Sequence, residues 1–93
     1  MDRYTFVLEF EGGTYISQTS AANVDAAFNT WCEETQRKNF FAHRTTRFLK
    51  AMQKQTPASK IALVSGVDGV WCLSCIFAGN LVLMHIALTQ PTS

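Results

Sequence analysis

Proline and carboxylate are the scarce residues of this chain. Among 93 residues there are two prolines and seven Asp or Glu. Both prolines, at 57 and 91, fall late, so nothing in the first 56 residues forbids long strands and helices. Few prolines, 47% hydrophobic and 12% aromatic residues exclude a disordered or low-complexity chain. Three cysteines are an odd number and too few for a disulfide scaffold, which leads us to expect free thiols in a reducing cytoplasm. The opening "MDRYTFVLEF" lacks the basic, apolar and small-residue zones of a secretory leader. No uninterrupted apolar run reaches the roughly 18–20 residues of a membrane span, so no membrane partner is expected. A net charge of +1 provides no global field toward polyanions.

Catalytic signatures are missing as well. There is no Gly-rich phosphate loop, since "EGGT" is too short and reads as a hairpin turn. Scattered carboxylates argue against a paired acid–base site or a magnesium cage. No Ser-His-Asp or Cys-His set has a local signature. The reading therefore favours binding over catalysis, with no cofactor.

What is present is a single domain over 1–93, short enough to bury only about 60–65% of its unfolded surface and so to gain from association. Tyr4, Phe6, Leu8 and Phe10 alternate with Thr5, Val7, Glu9 and Glu11, the period of a strand with one buried face. With Gly12-Gly13 as the turn, Phe10 would face Tyr15, and Ile16 would join Val7 on the other face. In "NVDAAFNTWCEETQ" the period changes. Val24, Ala27, Phe28, Trp31 and Cys32 form one helical stripe, with Asn23 as N-cap and Asp25 in the first turn. That stripe is expected to cover the aromatic face of the hairpin. A second stripe holds Phe41, Thr45, Phe48, Leu49 and Met52, ending before Pro57, with Asn39 as a candidate cap of a separate helix. Then "KIALVS", "VWCLSCIF" and "LVLMHIALT" read as three strands. The expected fold is α+β: a two-layer sandwich with about five mostly antiparallel strands, in the order β-β-α-α-β-β-β, and helices on one face.

The last two strands are apolar on both sides, where a sheet with one wet face should alternate. One side packs on the helices; a second copy of the chain is the simplest cover for the other, so a homodimer is expected.

Cys72 and Cys75 form a Cys-x-x-Cys. On a strand, residues three apart point to opposite faces, so this pair does not chelate one ion, and no metal is expected. A redox pair normally opens a helix, and this one continues as strand. We read both as buried free thiols, and His85 as a hydrogen-bonded core residue.

The best functional lead is charge placement. Residues 37–60 hold seven of the eight cations and no carboxylate. Arg37, Lys38, His43, Arg44, Arg47, Lys50 and Lys54 are the candidate binding residues, for an acidic protein partner or, as the alternative, for nucleic acid through phosphate contacts. A second alternative is a small-molecule or enzyme pocket near Trp31, Trp71 and His85.

Residues 3–35 add a family resemblance. Tyr4 to Glu9, then Ile16-Ser17-Gln18, then the helix from Val24 to Trp31 resemble the HicB-like antitoxin domain, which opens with a strand carrying Y-x-x-x-x-E, a strand ending in S-Q and a helix with an Ala/apolar stripe. The resemblance implies a small sheet-and-helix scaffold that dimerises and binds a protein partner. It carries over no active site.

Overall fold

The structure is a computed structural model and describes residues 1–55, 61–64 and 66–90. The Pro57 loop, Lys60 and Ser65 lie outside them. Among the described residues four long strands and two helices make up the fold: β1 (Asp2–Phe10), β2 (Gly13–Ala21), α1 (Val24–Lys38), α2 (Thr45–Gln55), β3 (Val70–Phe77) and β4 (Asn80–Gln90). A 3-10 turn, Ala42–Arg44, joins the helices.

The sheet corrects the expected architecture. It is four-stranded and antiparallel, in the spatial order β2-β1-β4-β3, and the expected β-β-α-α-β-β-β series of five strands does not hold. Among the described residues the segment "KIALVS" contributes a two-residue pairing, Ala62 and Leu63 with Cys72 and Trp71. A sharp reversal places it there: Gly66 and Gly69 both take positive φ, and the Val64 N–H donates to the Val70 carbonyl at 2.8 Å, so the segment is a short return arm laid on the outer edge of β3 and not a strand with neighbours of its own.

Both hairpins close with two-residue turns whose central residues have positive φ: Glu11-Gly12 and Ala78-Gly79. The first turn therefore lies one residue earlier than Gly12-Gly13. Phe10 pairs with Gly13, and Tyr15 pairs with Leu8 rather than Phe10. The shift is by two pairings, so the faces are unchanged, and Val7 pairs directly with Ile16. Gly13 has a different role from a turn glycine. A Cβ there would lie 2.6 Å from the Tyr15 hydroxyl oxygen, so the missing side chain is what lets the Tyr15 ring lie over the strand.

Helix α1 starts as its capping chemistry dictates, with the Asn23 side chain accepting from the Ala26 N–H at 2.9 Å. Asn39 ends that helix instead of starting the next one. It adopts a left-handed conformation, and its N–H returns to the Gln36 carbonyl. Thr45, Phe48, Leu49 and Met52 of α2 are buried, as the stripe predicts.

Both helices lie on one face of the sheet. The core joins Tyr4, Phe6, Leu8 and Phe10 of β1, Leu73 and Cys75 of β3, and Val82, Met84 and Ile86 of β4 to Phe28, Trp31, Phe48 and Met52. Aromatic rings dominate it. Phe6 stacks on Trp31 with centroids 5.9 Å apart, and Phe48 meets Phe10, Phe41 and Phe77.

Candidate functional site

Three surfaces hold the chemistry: the helix layer, the opposite face of the sheet, and a cleft at the β2 edge that touches both. The first is the basic segment, which does not form one arc. Arg37 and Lys38 are exposed in the last turn of α1, where the helix dipole favours cations. His43 is exposed on the 3-10 turn, and Arg47, Lys50 and Lys54 are exposed on α2. Arg37 and Lys50 meet across a shallow groove between the helices, together with Glu33 and Gln53. Arg44 turns away from this group. Its guanidinium makes a bidentate pair with Glu11, at 2.9 and 3.2 Å, and lies over the Phe10 ring. The pair lowers the Glu11 carboxyl below its usual range, chiefly through the hydrogen bond from Arg44. Asn80 also donates to Glu11, so this carboxylate ties both hairpin turns to the helix junction. Sequence reasoning missed that role, because no local pattern links position 11 to position 44.

The second surface is the sheet face away from the helices. Val7 of β1, Ile16 of β2, Leu81, Leu83 and His85 of β4, and Cys72 and Ile76 of β3 share it. Ile16 is 69% exposed, Leu81 60% and Ile76 53%. His85 pairs with Val7 and Cys72 here, half-buried on the open face, which corrects its expected place in the core. Cys72 is half-buried on this face and Cys75 is buried on the other, so the two thiols point apart as the strand period requires. No cluster of three or more His, Cys, Asp or Glu side chains suited to a metal occurs among the described residues. Burial pushes the Cys75 thiol up, and pushes Cys32 up to about 11.

The expected pocket near Trp31, Trp71 and His85 does not assemble. Trp31 and Trp71 lie on the helix side, against Phe6 and Tyr4 respectively, and His85 is across the sheet. A cleft of about 330 Å³ opens instead between β2 and the second half of α1. Its walls are Thr14 to Thr19 on one side and Trp31, Glu34, Thr35 and Lys38 on the other, with Tyr15, Phe40 and Phe41 at one end. Thr19 donates to Glu34 at 2.5 Å across it. This third surface was not legible locally, since it arises where a strand edge and a helix diverge.

No protein family, curated protein or solved structure matches the chain. The resemblance over residues 3–35 gains nothing from these comparisons. No helix among the described residues is long and apolar enough to cross a membrane.

Proposed function

We propose that the chain is a small cytoplasmic interaction module that pairs with a second copy through its open sheet face and meets an acidic protein partner with its helix layer. The observation that carries the reading is the open face itself: an apolar band across all four strands with three large aliphatic side chains more than half exposed. Charge complementarity favours a second copy as its cover. Arg3 and Glu9 lie near opposite ends of β1, both exposed and both on this face, with Thr5 and Val7 between them. A twofold axis between Thr5 and Val7 brings each Arg3 to the partner copy's Glu9 over an apolar centre. The three free thiols fit a reducing compartment. The resemblance to an antitoxin-type scaffold points the same way. Arg37, Lys38, Arg47, Lys50 and Lys54 supply the cationic helix layer; Arg44 is engaged with Glu11.

Sedimentation as a function of concentration tests the pairing. The natural chain is expected to dimerise. Leu81→Glu and Arg3→Glu are each expected to yield monomers, and Arg3→Glu with Glu9→Arg is expected to restore the dimer. A natural chain that stays monomeric at high concentration, or a dimer indifferent to Leu81→Glu, refutes it. For the helix layer, Arg37→Glu, Arg47→Glu and Lys50→Glu together are expected to abolish binding to a polyglutamate probe. If binding instead appears only with an oligonucleotide and falls steeply with salt, the nucleic-acid alternative replaces this reading.

A further inference from the structure

The two edges of the sheet are treated differently. The outer edge of β3 is occupied along its length. Ala62 and Leu63 pair with Cys72 and Trp71, the Val64 N–H reaches the Val70 carbonyl, and the Gln55 side chain bonds both the N–H and the carbonyl of Ile76 at 2.9 Å. The outer edge of β2 has no such cover among the described residues. In a hairpin closed by a two-residue turn, the pair beside the turn exchanges hydrogen bonds, and alternate pairs follow. Phe10–Gly13, Leu8–Tyr15 and Phe6–Ser17 are then the bonded pairs. Thr14, Ile16 and Gln18 consequently direct their N–H and carbonyl groups outward. None of these groups receives a backbone partner in the described residues.

The usual protections of an edge strand are missing as well. Gly13–Ala21 contains no lysine, no other charge, no proline and no bulge. Instead, six consecutive residues, Thr14 to Thr19, form a wall of the cleft beside α1. Successive strand residues alternate between the two faces, so an unbroken run of six along the cleft is reached through the backbone edge, which faces the opening. Ser17 confirms that the helix stands off: it lies on the helix side of the sheet, opposite Phe6, yet is exposed.

We propose that this cleft binds an extended polypeptide segment, which adds as a fifth, antiparallel strand to β2. A row of alternating backbone donors and acceptors is complementary to another backbone. The volume of about 330 Å³ suits one large apolar side chain, received between Tyr15, Trp31 and Phe40. Charge sets the direction of the segment. Glu34 is already engaged by Thr19, and Lys38, which lies near Phe40, is exposed with no ion pair in the described residues. An antiparallel strand runs from the Ala21 end of β2 to the Thr14 end, where Tyr15 packs against Phe40. The ligand therefore carries an apolar or aromatic anchor followed, on its C-terminal side, by an acidic side chain that meets Lys38. This deepens the reading of an acidic protein partner and rests on it; the cleft shares Ile16 with the open face, so binding is measured on the Leu81→Glu chain, where self-association is removed and the two outcomes are read apart.

The test is selection of random peptides, displayed with a fixed amide-like C-terminal linker, on the full chain. Selected peptides are then synthesised with amidated ends and mapped by amide chemical shifts. The expected result is a set sharing a large apolar residue followed by Asp or Glu, shifting Thr14–Thr19 and Glu34–Phe40. N-methylation of alternate peptide amides is expected to weaken binding about tenfold per blocked bond, and methylation of the intervening amides is expected to do little. Gln18→Pro, which removes an outward donor, leaves the β1 ladder intact and releases the side-chain bonds to Arg3 and Thr5, is expected to abolish binding, whereas Gln18→Ala, which releases the same two bonds but keeps the N–H, is expected to retain it. Lys38→Glu should reverse the preference to Lys or Arg. The proposal is overturned if no peptide is enriched, if the shifts map to Arg47–Lys54 of α2 or to Ile76, Leu81 and Leu83 instead of Thr14–Thr19, or if N-methylation at every position is tolerated. Binding that requires a free C-terminal carboxylate instead of an acidic side chain overturns the ligand assignment.

Discussion

The two faces of the sheet are built from the same four strands and have opposite fates. On the helix side, Phe6, Val82, Met84 and Ile86 are fully buried among aromatic rings. On the other side, their sequence neighbours Val7, Leu81, Leu83 and His85 are half-buried or exposed. Hydropathy does not explain the difference, since β3 and β4 are apolar on both sides. It follows from coverage: two helices, of 15 and 11 residues, lie on one face and cannot also wrap the other. Apolar patterning thus tells which residues seek cover, and topology decides which of them find it within one chain.

The comparison breaks most visibly if the covered face is hollowed. Phe48 is fully buried and touches Phe10, Phe41 and Phe77. Phe48→Ala is expected to destabilise by about 3–5 kcal/mol in urea unfolding, a large share of the stability of a domain this small.

Titration provides a second contrast. Cys32 is buried on α1, where the two helices meet, and its thiol is raised from 9.0 to about 11, chiefly by desolvation. For an acid raised on folding, stability is intact below the unfolded value and declines as pH rises through the folded one. Thermal unfolding of the natural chain should therefore show an alkaline loss between about pH 9 and 11, and Cys32→Ala should flatten it. At neutral pH, Cys72 on the open face should react with a thiol reagent before Cys32 or Cys75. Protection of Cys72 at high protein concentration would sharpen the contrast, because it reports that the open face has gained cover.

Smaller effects come from the joint shared by both faces. Ala78 adopts φ 52°, a left-handed conformation that a Cβ disfavours. Ala78→Asn, which gives the Asn-Gly pair suited to this turn, should stabilise by about 1 kcal/mol without altering either face. The smallest expected effect is on the open face of a monomer. Leu81→Ser should change the stability of the Arg3→Glu chain by no more than about 0.5 kcal/mol. A loss as large as that of Phe48→Ala would mean that Leu81 is already covered within one chain.

Much of the fold was legible because it is local. The two-residue period of Tyr4 to Phe10, the Asn23 cap and the Phe48-Leu49-Met52 stripe each declare themselves within a few turns of chain. That "KIALVS" is a two-pair return arm among the described residues was not legible, because it has strand composition and its place beside β3 depends on the reversal at Gly66 and Gly69. Asn39 was assigned to the wrong helix, since the same residue type suits an N-cap and a left-handed C-cap. Of the candidate site, six of the seven basic residues are exposed, but they spread over two helices and a turn instead of one arc, and Arg44 is held by a carboxylate 33 positions away. His85 and the β2 cleft depend on strand order, which no short window of sequence encodes.

Strand order also sets a schedule. β1 gains its second neighbour only from β4, and Thr5 and Thr89, 84 positions apart, share a hydrogen bond. During synthesis, the inner side of β1 has its hairpin and α1 long before β4 emerges. Until then Phe6 and Leu8 lack Ile86 and Met84 beside them. The nascent hairpin therefore stays half-finished with an apolar edge uncovered, and the sheet closes only when β4 slides in beside β1.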